Sequence, residues 1–352
     1  KHRFLDNCAQ LVDTLNDASI LVTAVRSTTE SADGSGIPAF TAVSKPLINA
    51  VAGATASSDV VNAFNEMIKY RHNTCVGLWS TDASYPTGDI ADLHSLLSQH
   101  ANNGAGGFKN EIDCVAGYDP PVTDTRNALV NRSTSIGNRN VALVYQKIKR
   151  VNSKGVGTTF EPHMLACVVA GMQAGSPVGE PLTFKFVDAI DIVSPVDADP
   201  QDKTDSDAML NGGVLFCEHV TGKGFRIVRN LSTYTQSDNL AYTDRHVNYE
   251  LNFMSYDMRT EIEDKFTGLK STPATVTNLR STIISKLEFY KTDLEIIVDS
   301  SDPVTGGTIN AYRNLKVSIS GDIATIRFEV FPAIGINYQT IEIVAQLPVI
   351  SA

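Results

Sequence analysis

Cys217 and His219 share one face of a predicted strand, and a thiol and an imidazole are both ligands that zinc accepts. A zinc centre needs more ligands, and no second Cys/His pair lies near, so Cys217-Glu218-His219 reads as a packed strand end. Calcium asks for clustered oxygens instead, and Asp197, Asp199, Asp202, Asp205 and Asp207 offer them in one short run. That run lacks the central Gly and closing Glu of an EF-hand loop, so it reads as a solvated acidic linker. Phosphate chemistry needs amides at the start of a helix, whereas Gly104-Ala105-Gly106-Gly107 follows one. No Gly-Lys-Ser/Thr occurs, which excludes a Walker loop. The Met254/Met258 stripe reads as core material. Asn131-Arg132-Ser133 and Asn230-Leu231-Ser232 match a glycosylation pattern, but no signal peptide supports their use. The expectation is no metal and no cofactor.

The remaining candidate for chemistry is a hydroxyl. Gly157-Thr158-Thr159-Phe160-Glu161-Pro162-His163 resembles the Gly-Thr-Ser-Met-Ala-x-Pro-His run around the nucleophile of subtilisin-like proteases. A hydroxyl is a poor nucleophile until a His takes its proton and a carboxylate orients that His. In that fold the order is Asp, His, nucleophile. Upstream of Thr159 there is no Asp-Ser/Thr-Gly strand end and no His-Gly-Thr helix start. His94 and His100 lie on or just beyond an ordinary helix. The run is also one residue short before Pro162, with Thr159 in place of Ser. It reads as a helix entry without catalysis.

Composition narrows the classes further. The chain has 352 residues, 42% of them hydrophobic and 19% charged, as expected of a globular protein with room for about two domains. A net charge of −10 argues against a nucleic-acid binder. No apolar run approaches the roughly 20 residues of a membrane span. Lys1-His2-Arg3 lacks both Met and an apolar signal core, and reads as the start of a fragment or processed chain. Cysteines at 8, 75, 114, 167 and 217 are odd in number and widely spread, which favours free, mostly buried thiols.

The elements that would position these residues fall into two parts. Phe4, Cys8, Leu11, Val12 and Leu15 mark a helical face, Ile20–Val25 a buried strand, and residues 28–57 a long loop. Helices and short apolar strands then alternate through residues 59–187, which predicts an α/β layer with a mainly parallel sheet over 1–196. The acidic segment 197–207 would be the linker. Residues 208–352 would form an α+β domain with two helices and an antiparallel sheet. There Gly222-Lys223-Gly224 turns a hairpin between Val214–Phe216 and Phe225–Arg229. Val247, Leu251, Met254, Met258, Ile262 and Phe266 recur at helical spacing, as do Leu279, Ile283, Leu287 and Tyr290. Leu294–Val298 reads as a strand. Ser-Gly-Asp at 320–322 joins two alternating runs into a second hairpin. Ile341, Ile343, Ala345 and Leu347 alternate in a last strand.

This order resembles the C-terminal part of contractile tail sheath proteins. The pieces are Phe160–Gly171 with its Pro162 and Ala170-Gly171, the break at Pro177, Gly179 and Pro181, and the run Leu210-Asn211, Gly213, Arg226, Arg229 and Thr233. The two helices and closing strands follow. The family's Trp-Gly before Arg-Thr is replaced here by Val228-Arg229-Asn230-Leu231-Ser232-Thr233.

The resemblance implies a mechanical subunit and no enzyme. Sheath subunits stack as six-fold rings around an inner tail tube, polymerise in an extended, metastable helix, and contract on a baseplate signal to drive the tube through a cell envelope. Implied partners are other sheath subunits, the tube, the baseplate and the tail terminator, with neither nucleic acid nor membrane insertion. The implied location is the virion tail, with assembly in the host cytoplasm. By analogy with sheath relatives, the helix around Thr277–Tyr290 would face the tube through Arg280, Lys286 and Lys291. The strand Thr340, Ile341, Glu342, Ile343, Val344, Ala345 and Gln346 would be exchanged between subunits; a plain third strand of the C-terminal sheet is the other reading. The isolated chain is expected to be mainly monomeric. The alternatives are a subtilisin-like hydrolase and a non-contractile virion protein.

Overall fold

Apolar runs without polar alternation end up covered on both faces. The computed structural model describes residues 57–78, 90–107, 109–120, 123–151, 155–237, 239–302 and 304–335. The sequence elements assigned to 1–56 and 340–346 lie outside these residues. Helix α1 (Ser57–Met67) leads to β1 (Thr74–Val76), α2 (Ile90–Gly107), β2 (Asp113–Gly117), α3 (Thr125–Ile136) and β3 (Val141–Val144). The three strands form a parallel sheet in the order β1-β2-β3, with Cys75 opposite Cys114 and Cys114 opposite Val141.

The two faces of this sheet feed two cores. Cys114, Ala116, Val141 and Leu143 point toward Leu93, Leu97 and Leu129 of α2 and α3. Their neighbours Val115, Ala142 and Val144 point toward Leu165, Ala166 and Val169 of α4 (Pro162–Gly175). Each Val or Leu among them contributes roughly 1.5–3 kcal/mol when fully buried. Gly117 lets the layers meet, since a Cβ there would lie 2.4 Å from the backbone nitrogen of His163 in the first turn of α4.

Antiparallel pieces flank the parallel layer. Strands β4 (Lys147–Val151), β5 (Gly157–Phe160) and β7 (Asp191–Val193) form a sheet in the order β5-β4-β7. Strand β6 (Phe186–Val187) joins a hairpin of β8 (Cys217–Val220) and β9 (Gly224–Ile227) in the order β6-β9-β8. The parallel layer is therefore smaller than the helix–strand alternation suggested. Val214–Phe216 does not form the first arm of the hairpin. It extends the parallel layer through a Leu143–Val214 bridge, and the Leu215 N–H donates to the Leu143 carbonyl at 2.9 Å. Its residues alternate between the two cores, Val214 and Phe216 in one and Leu215 in the other.

The acidic segment is folded. After a 3-10 turn at Val196–Ala198, Asp202 caps α5 (Lys203–Asn211), its Oδ1 accepting from the Thr204 N–H at 2.8 Å. Asp197 Oδ2 accepts the Thr125 N–H at the start of α3 at 2.8 Å, and these bonds hold its carboxyl below the usual range. Asp205 pairs with Arg126 at 2.8 Å. Asp197 and Asp202 thus serve helix starts and Asp205 an ion pair, so the run is held to the body although Asp197, Asp202 and Asp207 face solvent, and the core continues across it through Ala198, Met209, Val214 and Phe216. The described residues belong to one compact unit, Ala54–Ala352.

The last part is helical and then antiparallel. Short α6 (Leu240–Thr243) precedes α7 (Arg245–Phe266) and α8 (Pro273–Thr292). Strands β10 (Ser300–Ser301) and β11 (Thr308–Ile309) pair with each other, as do β12 (Tyr312–Ser320) and β13 (Ile323–Val330). Ser320 faces Ile323 across Gly321-Asp322, the two-residue turn expected from Ser-Gly-Asp. Leu294–Val298 is not a strand: Glu295 takes a left-handed φ of 54°, and only Ile297 bridges, to Pro332.

Candidate assembly surface

The residues that could have done chemistry are placed apart or already engaged. Thr159 is exposed on the edge strand β5, opposite Lys149. His94 is buried, with Nε2 3.2 Å from the Gly117 carbonyl. His100 stacks on Phe64, and its Nε2 lies 3.0 Å from Nε2 of His72. Burial, then the His72 charge, lowers its pKa to about 4. Cys217 is buried beside β9, which raises its thiol to about 12, while His219 is exposed and leans on Phe225. Among the described residues no group of three or more His, Cys, Asp or Glu could hold a metal. The described cysteines 75, 114, 167 and 217 are free thiols. No helix among the described residues is long and apolar enough to cross a membrane.

The more informative element is α7, whose two sides do different work. Its apolar side carries Met254, Met258 and Ile262 against Leu279, Ile283 and Leu287 of α8. Its polar side recurs at 245, 252, 256, 259 and 263 and meets the entry to β2 and its surroundings. Arg245 forms a buried ion pair with Asp113, Nε to Oδ1 at 2.9 Å. Asn252 donates to Asn140 at 3.0 Å, and the Arg71 guanidinium lies 3.0 Å from the Tyr256 ring centre. Arg259 grips Glu111 at 2.7 Å and the Lys109 carbonyl at 2.7 Å, while Lys109 pairs with Glu263 at 2.9 Å. A helix of 22 residues is about 33 Å long. It fastens the parallel layer to α8 and the final hairpin along most of that length.

That hairpin is incompletely covered. Leu315, Val317, Ile319, Ile326, Phe328 and Val330 point inward yet are only half-buried. Among the described residues β12 and β13 form a sheet of two strands, which leaves the outer edge of β13 unpaired. An apolar groove of about 450 Å³ runs between α7 and β13, lined by Leu251, Met254, Met258, Ile326, Phe328 and Val330.

The three basic residues assigned to a tube-facing surface do not form a free patch. Lys286, on α8, reaches Asp257 at 3.0 Å and Glu261 at 3.7 Å, with a fifth of its side chain exposed. Lys291 pairs with Asp299 at 2.7 Å. Arg280 is exposed, its guanidinium 3.4 Å from the Leu315 carbonyl. The buried seam Arg245–Asp113 escaped sequence reasoning, because its partners are far apart in the chain.

No family model matches the chain. A tail sheath protein of Staphylococcus phage Twort is 23% identical over 251 residues, covering 67% of this chain and 41% of its own length. One from Bacillus phage SP01 is 22% identical over 210 residues, 59% of this chain and 34% of its own. Among solved structures, a sheath tail protein of Desulfitobacterium hafniense matches with a TM-score of 0.56 and 20% identity over 78% of this chain and 56% of that one. The relatives this chain resembles in sequence are phage tail sheath proteins, and the solved structures it resembles in fold are tail sheaths as well. The sheath fold also appears in the contracted helical sheath of the anti-feeding prophage, with a TM-score of 0.56 and 10% identity over 84% of this chain and 76% of that one. The chain spans about two fifths of the length of the curated phage sheath relatives it matches.

Proposed function

We propose that this chain is a structural subunit of a contractile tail sheath, packing against copies of itself around a tail tube and shortening to drive that tube through a cell envelope. The observation that carries the reading is the β12–β13 hairpin. The helices α7 and α8 leave the inner face of this two-stranded sheet half-covered, and an added strand would use both the open edge of β13 and the groove beside it. The segment Thr340–Gln346 of a neighbouring subunit is the proposed donor. Main-chain hydrogen bonds would hold the subunits together while the flanking segments bend. The pinned face of α7 would carry load from that joint into the parallel layer.

The proposed partners follow: sheath subunits in stacked six-fold rings, the tube, the baseplate and the tail terminator. The proposed location is the virion tail, with assembly in the host cytoplasm. The α/β layer is proposed to share the subtilisin-like fold to which the run Gly157–His163 points, without catalysis.

The test is assembly of the full-length gene product, with and without tube protein, followed by electron microscopy. Tubular sheath should form, and proline at an edge amide of β13 should abolish it while the isolated subunit stays folded. Normal tubes from the proline variant would sink the strand-exchange reading. Absence of any tubular assembly from the wild-type protein and its tube would sink the sheath reading.

A further inference from the structure

Residues 331–335 run over the body and meet a histidine. Ile297 and Pro332 form an antiparallel bridge, and the Ala333 N–H donates to the Ile296 carbonyl at 2.9 Å. The Gly335 N–H then donates to Nε2 of His246 at 3.1 Å. That bond fixes the tautomer: Nε2 accepts, so the single ring proton of neutral His246 sits on Nδ1. His246 is 1% exposed, in the first turn of α7. Gly335 is wedged as well as bonded. A Cβ there would come within 3.1 Å of Pro181 Cγ and 3.5 Å of His246 Cε1.

We propose that His246 is a proton-operated latch at Gly335: neutral, it accepts the Gly335 amide, and protonated, it releases Gly335 from α7 while Ala333 stays bonded to Ile296. Protonation turns Nε2 into a donor facing another donor, so the bond is lost and two N–H groups oppose each other, His246 buried and Gly335 half-buried.

The surroundings decide where this happens. Burial lowers the His246 pKa, with Asp244 raising it and Arg229 lowering it. Asp244 is already paired with Arg229 at 3.0 Å, which limits what it offers an imidazolium. One turn along α7, Glu250 is fully buried against Gly179 and Ile296, and neither carboxylate oxygen has a hydrogen-bond partner among the described residues. Burial raises its pKa to about 8, so at and below neutral pH it is mostly protonated and adds little negative charge to steady a protonated His246. On the segment before β6, Glu180 is held by Lys185 at 2.5 Å. After α8, Asp293 and Glu295 are exposed and Asp299 is held by Lys291. The latch is therefore closed at neutral pH and opens below the ordinary histidine range, near 6.5. That this would free the exchange strand rests on the reading of Thr340–Gln346 given above.

The latch is tested on the chain as it stands, without neighbours, so strand exchange can fail while the latch holds. Long-range 1H–15N spectra of the 15N-labelled chain report the His246 tautomer, and amide exchange reports protection of Gly335, from pH 8 to pH 4. We expect the Nδ1–H tautomer at neutral pH, and a loss of Gly335 protection by about tenfold as His246 titrates. His246→Gln offers an acceptor that does not titrate, and should hold that protection level across the range. An Nε2–H tautomer in the wild type would overturn the latch, as would the same acid loss of protection in His246→Gln. If His246→Gln does not fold, His246→Asn serves the same comparison, and the wild-type tautomer decides on its own.

Discussion

Arg245, at the start of α7, and Asp113, at the start of β2, form an ion pair whose side chains are 0% and 3% exposed. They stand far apart in sequence and join the parallel layer to the helix that carries the final hairpin. The Asp113 pKa is raised, first by burial, with the Arg245 charge and hydrogen bond opposing. Removing one partner leaves the other charged and buried. Asp113→Leu and Arg245→Met should each cost about 3–5 kcal/mol. The double change Asp113→Leu with Arg245→Met should recover much of that, because no lone charge remains. Denaturant unfolding of the three variants measures this, and additive losses would show that the pair is not a unit.

Glu250 makes the wild type weaker as pH rises. Its folded pKa of about 8 lies above the ordinary 4.5, so the folded state holds a proton that the unfolded state releases. Its contribution is fully present below pH 4.5, declines as pH rises, and is lost above about 8. Glu250→Gln is neutral throughout, so it should match the wild type near pH 4 and exceed it increasingly toward pH 8, at about 1.4 kcal/mol per pH unit. Melting temperatures of both proteins across this range test the sign.

Gly117→Ala should destabilise strongly, because the new Cβ meets the backbone of His163 and Pro162 and no flexible side chain can yield. A cost of roughly 1–3 kcal/mol is expected from such overpacking. By contrast Gly171→Ala on α4 meets nothing within 4 Å and should raise stability by about 0.5–1 kcal/mol. Thermal unfolding of the pair separates packing from helix propensity.

The charges on α8 should separate by variant. Lys286→Glu places a third acid beside Asp257 and Glu261 and should lower the stability of the isolated chain by up to roughly 1 kcal/mol. Arg280→Glu should leave that stability within about 0.5 kcal/mol. Any role of α8 against a tube is then read from Arg280→Glu in full-length protein, as weaker, salt-sensitive assembly. Unchanged assembly would remove Arg280 from that role.

Thr159→Ala should leave fold and stability unchanged, since Thr159 is exposed on an edge strand. The wild-type chain should cleave no member of a peptide library. Turnover that disappears with Thr159→Ala would restore the hydrolase reading.

The sequence by itself determined the elements whose burial is written in their own spacing. Met254, Met258 and Ile262 mark the inner side of α7, and the alternation of 315–320 and 326–330 marks the hairpin, because a helix or strand records at period 3.6 or 2 which side meets a core. Its motifs also outlined the sheath resemblance. Tertiary structure decided everything that depends on a partner distant in the chain. Arg245, Arg259 and Glu263 look like an ordinary solvated stripe until Asp113, Glu111 and Lys109 arrive beside them. The aspartate run looks like a linker until Thr125 and Arg126 give its charges something to hold. Lys286 looks free until α7 presents Asp257. Val214–Phe216 reads as half of a hairpin until Leu143 offers a parallel edge. The physical reason is that apolar burial is local in its pattern, whereas the energy of a charge depends on distance and on water excluded by elements the chain has yet to bring together.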